Sequence, residues 1–217
     1  MATSSARPAG DRVVVLATNN AKKLAELRRL VAAAGAAVTV LGLADVEPYP
    51  EPAETERTFV GNALLKARAC VAVTGLPALA DDSGVAVDVL NGMPGVRSAR
   101  WSGPDATDAT NNALLLAQLD DVPDEERTAH FEAAVALVLP DGRERTTTGR
   151  MEGRLLRAPV GEHGFGYDPL FVATGQQVSN GVLDPAEKDR ISHRGQAVRA
   201  MVPVLVEALA ERPAEEA

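Results

Sequence analysis

Hydrophobic positions along the chain fall into two periodicities. Val13 to Leu16 form a β-branched run that stops at the polar Thr18-Asn19-Asn20, the pattern of a buried strand. Leu24, Leu27, Leu30, Val31 and Ala34 then recur at helical spacing until Gly35. Strand, tight loop and helix in that order predict an α/β unit. VTVLGL predicts a second strand, and VEPYPEPAETER an acidic, proline-rich loop. Thr58 is placed to cap a helix through TFVGNALLKARACVAVT, with Gly75 as its stop. LPALA and VAVDVL are apolar flanks around a polar centre, and NGMPGVRSARWSG is rich in glycine and turn residues. A helix runs through TNNALLLAQLDDV, and FEAAVALVLPDGRERTTTGRMEGRLL predicts a long hairpin turning at Asp141-Gly142. The glycine-rich VGEHGFGYDPLFV leads into a further strand, and AVRAMVPVLVEALA forms a closing helix that Pro203 kinks. The expectation is a mixed α/β fold with a hairpin lobe. Residues 1–11 are expected as a flexible leader, 12–210 as a single domain and 211–217 as a flexible tail.

Composition narrows the partners. Of 217 residues, 46% are hydrophobic and 3% aromatic, so aliphatic side chains and alanine must build the core. The formal net charge of -8 argues against broad binding to nucleic acid or to an anionic membrane, while leaving room for a local phosphate pocket. Cys70 is the only cysteine, which excludes an intramolecular disulfide and points to a reducing compartment, with a cytoplasmic location expected. No apolar leader and no bilayer-length apolar span is seen.

Two adjacent carboxylates raise the central chemical question. In ALADDSGVAV, Asp81 and Asp82 interrupt an apolar run, and burying either without a partner would cost several kcal/mol, roughly. Successive strand residues face opposite sides, so the pair could converge on one ligand only if the strand ended there, as Ser83-Gly84 permits. Oxygen ligands of this kind suit Mg²⁺ bridging to a phosphate; a solvated polar turn is the alternative. Between first strand and helix, Asn19 and Asn20 are natural caps, but Lys22 and Lys23 lie in the first helical turn, where cations are disfavoured. A bound anion would reverse that sign; an ion pair of Lys22 with Glu26 is the alternative. Phe165, between glycines in EHGFGYDPLF, offers a flat face for a ligand or an ordinary core aromatic. Lys188, His193 and Arg194 gather donors near the end of the chain. Lys66 lies at the edge of an apolar helical stripe, where snorkelling is the common explanation, and Glu54 sits in the acidic loop. The three histidines are scattered, so a zinc site is not expected.

Taken together, LATNNAKKLAEL, TFVGNALLKARA, LPALADDSGVAVDVLNGMPGVRSARWSG, GFGYDPLF and EKDRISHRGQA closely resemble, in order and spacing, the non-canonical purine nucleoside triphosphate pyrophosphatases, over almost all of Val13 to Leu209. That resemblance implies an elongated, two-lobed fold with a central mixed β-sheet flanked by helices, and a homodimer. It implies hydrolysis of ITP, dITP and XTP to monophosphate and pyrophosphate, with Mg²⁺ as cofactor and the purine nucleoside triphosphate as partner. By the same resemblance Thr18, Asn19, Asn20, Ala21, Lys22 and Lys23 cradle the triphosphate. Asp82, Lys23 and Lys66 are then catalytic, and Glu54, Asp81 and Asp82 lie at the metal. Ser83 would touch substrate, Phe165, Gly166, Tyr167 and Asp168 would line the base pocket, and Lys188, His193 and Arg194 would hold base and phosphate. Two positions depart from the pattern: Asn19 stands where many relatives have glycine, and Gly61 where many have glutamate. A related pyrophosphatase for modified or pyrimidine triphosphates, or a nucleotide sensor without catalysis, are the alternative functions.

Overall fold

A computed structural model describes residues 12–210; the expected leader over 1–11 and tail over 211–217 lie outside the described residues. The order is β1 (Arg12–Leu16), α1 (Ala21–Ala33), β2 (Val38–Leu41), α2 (Phe59–Thr74), β3 (Ala78–Val87), β4 (Met93–Pro94), α3 (Asp108–Gln118), β5 (Thr128–Val138), β6 (Glu144–Leu155), β7 (Phe171–Ala173), α4 (Pro185–Ile191) and α5 (His193–Ala210). The strands form one sheet in the order β2-β1-β3-β5-β6-β7, with β4 attached to β3. β1 is parallel to β2 and to β3, because helices α1 and α2 carry the chain back between them. The β3–β5, β5–β6 and β6–β7 pairs are antiparallel, which makes the sheet mixed, as expected.

Alternation along β3 sorts the helices onto two faces. Leu79 packs with Leu27 and Val31 of α1 and with Val198, Met201 and Leu205 of α5. Ala78 and Ala80 face the other way, onto Phe59, Ala63, Ala67 and Cys70 of α2. Small residues on that second face let α2 lie close to the sheet. Beyond Gly84, Val85 and Val87 belong to a third cluster with Leu115, Leu119, Phe131 and Phe171, the core of the hairpin lobe.

Local chemistry explains the element ends. The Thr58 side chain accepts from the Gly61 N–H, and Gly75 closes α2 in the left-handed region at φ 63°. The hairpin turns at Gly142, where φ is +85°. Three expectations need correction. β3 does not end at Ser83-Gly84 but continues to Val87, paired throughout with β5. Gly84 serves close packing instead, since a Cβ there would overlap the Ser98 hydroxyl and the Gly95 carbonyl. The closing helix starts at His193, four residues before the expected start, because the Ser192 hydroxyl accepts the Gly195 N–H. α4, capped by Asp184 and opened by Pro185, was not expected as a separate helix.

Arg127 joins the two ends of the hairpin lobe. It is 1% exposed, and its guanidinium donates to the Leu119 carbonyl at 2.6 Å, Leu156 at 2.9 Å and Leu155 at 3.1 Å. Arg127→Ala deletes three bonds from a charged donor and is expected to cost about 3 kcal/mol or more. Urea unfolding checks this, and a loss under about 1 kcal/mol would contradict it.

Candidate active site

The parallel pairing of β1 with β3 ends at Leu16 and Leu79, with a last bond from the Ala17 N–H to the Leu79 carbonyl. β1 then turns off through Thr18–Asn20 into α1, while β3 runs on. The divergence lies at the carboxyl end of a parallel strand, the usual ligand position in α/β sheets. Asp81 and Asp82 are the next polar residues of β3 beyond that divergence.

The two carboxylates face opposite sides and meet different partners. Asp81 accepts from Lys23 Nζ at 2.6 Å, and Arg194 Nε lies 3.4 Å from the same oxygen. Burial works to raise the Asp81 pKa, but the charges of Lys23 and Arg194 outweigh it and the net movement is downward. Asp82 accepts from Asn62 Nδ2 at 2.9 Å and from the Ser83 N–H at 3.0 Å, with Lys66 Nζ at 3.7 Å. Burial raises the Asp82 pKa, Lys66 and Asn62 pull it down, Glu54 pushes it up, and the net movement is upward. Neighbours in sequence thus have opposite shifts.

Around Asp82, α2 supplies both partners. Asn62 and Lys66 are four residues apart and share a face of the helix. The Asn62 orientation is set from behind, because its Oδ1 accepts the Glu56 N–H at 3.0 Å. Lys66 is 8% exposed and donates to Glu54 Oε1 at 3.0 Å, so it is buried by ion pairing and does not snorkel. Burial lowers its pKa, but Asp82 and Glu54 more than compensate and it stays charged. Glu54 is also gripped by Arg100, which donates to its Oε2 at 2.6 Å and to its carbonyl at 3.2 Å. Burial raises the Glu54 pKa, but Arg100 and Lys66 bring it below its ordinary value.

At the helix entrance, the Asn20 side chain accepts the Lys23 N–H, and Thr18 Oγ1 accepts the Asn20 N–H. Asn19 donates to Glu51 at 3.4 Å. Ala21 opens α1. The Lys22 and Glu26 side chains lie outside what the structure describes. Among the described side chains, Glu54, Asp81 and Asp82 face Lys23, Lys66, Arg100 and Arg194.

A cleft of about 110 Å³ adjoins this charge cluster, large against the ~10–15 Å³ that one water needs. Ser83, Phe131, Phe165, Tyr167, Lys188 and His193 line it. Phe165 is 64% exposed, with Lys188 Nζ 5.1 Å from its ring centroid. His193 stacks on Phe131 with ring centroids 4.8 Å apart. Burial, Lys188 and Arg194 hold the His193 pKa down to about 3, so the ring is neutral. Its Nδ1 is buried without a hydrogen-bond partner. Asp168 has both oxygens engaged, by Lys188, the Phe165 N–H and Asn180, and it supports the wall of the cleft. Tyr167 is 4% exposed and donates its hydroxyl to the Ser98 carbonyl, while Gly166 carries a φ of 60°.

The structure therefore brings together most of the expected residues, with two reassignments. Glu54, Asp81 and Asp82 do not gather at one point, because the strand continues and Asp81 is turned to Lys23 and Arg194; among the described residues no group of three or more His, Cys, Asp or Glu is placed to hold a metal ion. Arg194 does not line the cleft with His193. Asn62 and Arg100 were missed. A lone asparagine inside the apolar FVGNALL, one turn before Lys66, was the available signal for the first; Arg100 gave none, since its partner lies 46 residues away.

With the geometry in place, comparison with known proteins decides the family. A model of the Ham1 family matches residues 14–204. The chain belongs to the Ham1 family. It is 60% identical over 200 residues to a protein of Nocardia farcinica named dITP/XTP pyrophosphatase, covering 92% of this chain and 97% of that one. A protein of the same name from Cutibacterium acnes is 56% identical over 195 residues, covering 89% and 96%. Among solved structures, a HAM1 protein from Coxiella burnetii is 40% identical with a TM-score of 0.83, covering 90% of this chain and 99% of that one. The Mycobacterium abscessus structure titled nucleoside-triphosphatase / dITP/XTP pyrophosphatase is 52% identical with a TM-score of 0.76, covering 88% and 99%. The fold of this Ham1 chain is the two-faced mixed sheet described above.

The opposite pKa movements give a stability prediction. A lowered folded pKa stabilises above the unfolded value and is lost as pH falls; a raised one acts the other way. Asp81→Asn, which breaks a buried pair, is expected to cost about 3 kcal/mol at pH 7. Asp82→Asn should cost less, because it also relieves repulsion from Glu54. The difference should shrink below about pH 4, where an unfolded aspartate takes up its proton. Equal losses at pH 7, read from urea unfolding, would contradict the assignment.

Proposed function

We propose that this Ham1-family chain is a nucleoside triphosphate pyrophosphatase that hydrolyses ITP, dITP and XTP to monophosphate and pyrophosphate, removing miscoding purines from the nucleotide pool. The observation that carries this is the meeting of two unlike regions: a cluster of cations around the end of β1 and an aromatic cleft with a neutral, buried histidine. A polyphosphate suits the first and a flat base the second.

Thr18 to Lys23 wrap the triphosphate at the N-terminus of α1, whose dipole favours an anion. Lys23, Lys66 and Arg194 offset its charge. Water attacks the α-phosphorus, its proton passes to Asp82, and pyrophosphate leaves. The raised pKa of Asp82 suits it to accept that proton. Glu54 and Asp82 offer hard oxygen donors on one side of β3, and Asp82 is short of positive charge there. Two carboxylates with substrate phosphates suffice for Mg²⁺, which takes few protein ligands. When bound, that ion polarises phosphate oxygens and lowers the pKa of coordinated water. Asp81 faces the other side of the strand from Asp82, toward Lys23 and Arg194, and fits a positioning role better than a ligand role.

Phe165 stacks on the base, Ser83 and Lys188 border it, and His193 reads its edge. A neutral imidazole offers one donor and one acceptor; with the His193 Nδ1 buried, Nε2 meets the base as the N–H tautomer, and O6 of inosine or xanthosine accepts from it. Adenine presents an amino group there, which leaves a buried donor unpaired at about 1–3 kcal/mol. Residues 12–210 act as one domain, in a homodimer, in the cytoplasm; no helix of the described residues is long and apolar enough to cross a membrane.

Release of pyrophosphate from ITP, XTP, GTP, ATP and a pyrimidine triphosphate, with and without Mg²⁺, tests the proposal. ITP and XTP should exceed ATP in kcat/KM by about tenfold or more, with activity lost on chelation. Equal values across the panel would overturn the base selectivity, preference for the pyrimidine would favour the related activity, and orthophosphate as the product would overturn the reaction.

A further inference from the structure

The outer wall of the cleft is a glycine-flanked segment in which Asp168 accepts the Phe165 N–H at 2.9 Å and donates its own N–H to the Phe165 carbonyl at 3.2 Å. Gly164 and Gly166 have φ of +82° and +60°, a region open to glycine at little cost, and Phe165 between them is exposed. Behind the segment lies a second groove, lined by Asn112, Leu116, Pro159, His163 and Pro169. Asp108, Phe165 and Gly166 border both hollows. The segment is thus a thin partition with open space on either side: Asp168 fixes the Phe165 backbone from within, and Gly166, the next residue, is held from outside the segment.

Helix α3 does so at both ends of one residue. Asp108 Oδ2 accepts the Gly166 N–H at 2.7 Å, and Asn112 Nδ2 donates to the Gly166 carbonyl at 3.0 Å. The two side chains are four residues apart in α3 and therefore share a helix face. α3 is itself anchored: Thr107 caps it by accepting from the Thr110 N–H, and Asn111 ties it to the carbonyls of Ser98 and Ala99. Asn112 is 7% exposed, and its Oδ1 is buried with no hydrogen-bond partner. A buried acceptor left unpaired is a standing cost to the fold. An apolar side chain of similar size would avoid it, but could not hold the Gly166 carbonyl.

We propose that Asp108 and Asn112 are positioning residues for the base: they grip the Gly166 residue from both sides and so hold Phe165 across the cleft. Asn112 acts through Gly166 alone. The inference rests on Phe165 being the stacking face for the base.

The test compares Asn112→Leu, Asp108→Ala, Asp108→Asn and Phe165→Ala in the full chain, by steady-state kinetics on ITP, unfolding temperature and amide hydrogen exchange of the segment containing Gly166. Asn112→Leu should raise KM about tenfold with kcat reduced less than about threefold. Its unfolding temperature should be unchanged or higher, with faster exchange at Gly166. Asp108→Ala should raise KM similarly, and Asp108→Asn, which keeps an acceptor, should stay within about threefold of wild type. Wild-type KM and exchange in Asn112→Leu would overturn the proposal, and so would a lowered unfolding temperature with kcat and KM impaired together, the pattern of a purely structural residue. Phe165→Ala separates the levels. Unchanged KM there removes the stacking role and the proposal with it; raised KM there beside wild-type KM in Asn112→Leu overturns the positioning role alone.

Discussion

Adjacent residues of an extended strand cannot face the same way, and the site is organised by that constraint. Because β3 stays extended and paired with β5 through Asp81 and Asp82, one carboxylate must look toward α1 and α5 and the other toward α2. Each then needs its own cation. Lys23 and Arg194 come from one side, Lys66 from the other, and Asn62 completes the hydrogen bonding of Asp82. A pair that reads as one unit in sequence becomes two sites of different character.

The difference in character is electrostatic. Asp81 is nearly fully buried and is neutralised by two cations, which suits a group that holds other residues in place. Asp82 shares a single ammonium with Glu54 and keeps a raised pKa, which suits a group that takes a proton or meets a further cation. A carboxylate buried without enough positive charge stores free energy that a ligand can release. Functional sites commonly hold such groups while the surrounding fold supplies the stability. Here the surroundings include α2, pressed onto the sheet by alanines, and the buried fork of Arg127.

Much of this was legible in the sequence. The β-branched run before Thr18, the Thr58 cap, the Gly75 stop and the Asp141-Gly142 turn are local signals, and each stands where the pattern put it. Lys23, Lys66, Asp82, Phe165 and His193 were singled out through motif resemblance, and the fold brings them to one region. What could not be read is what depends on distant partners. Gly84 looked like a strand end, but it is a contact with Ser98, fourteen residues on. Lys66 looked like a snorkelling side chain because Glu54 belongs to a loop of no fixed pattern. Arg100 and Asn112 have no local signature, since each is defined by a partner that only folding brings near.

The proposed function has the strand's two faces divide the work, with polyphosphate chemistry centred on Asp82 and not on its neighbour. A crystal structure with Mg²⁺ and a non-hydrolysable ITP analogue measures this directly. We expect an ion touching Glu54 and Asp82, with Asp81 still bound to Lys23 and Arg194. An ion held by Asp81, with Lys23 displaced from it, would contradict that division of the two faces.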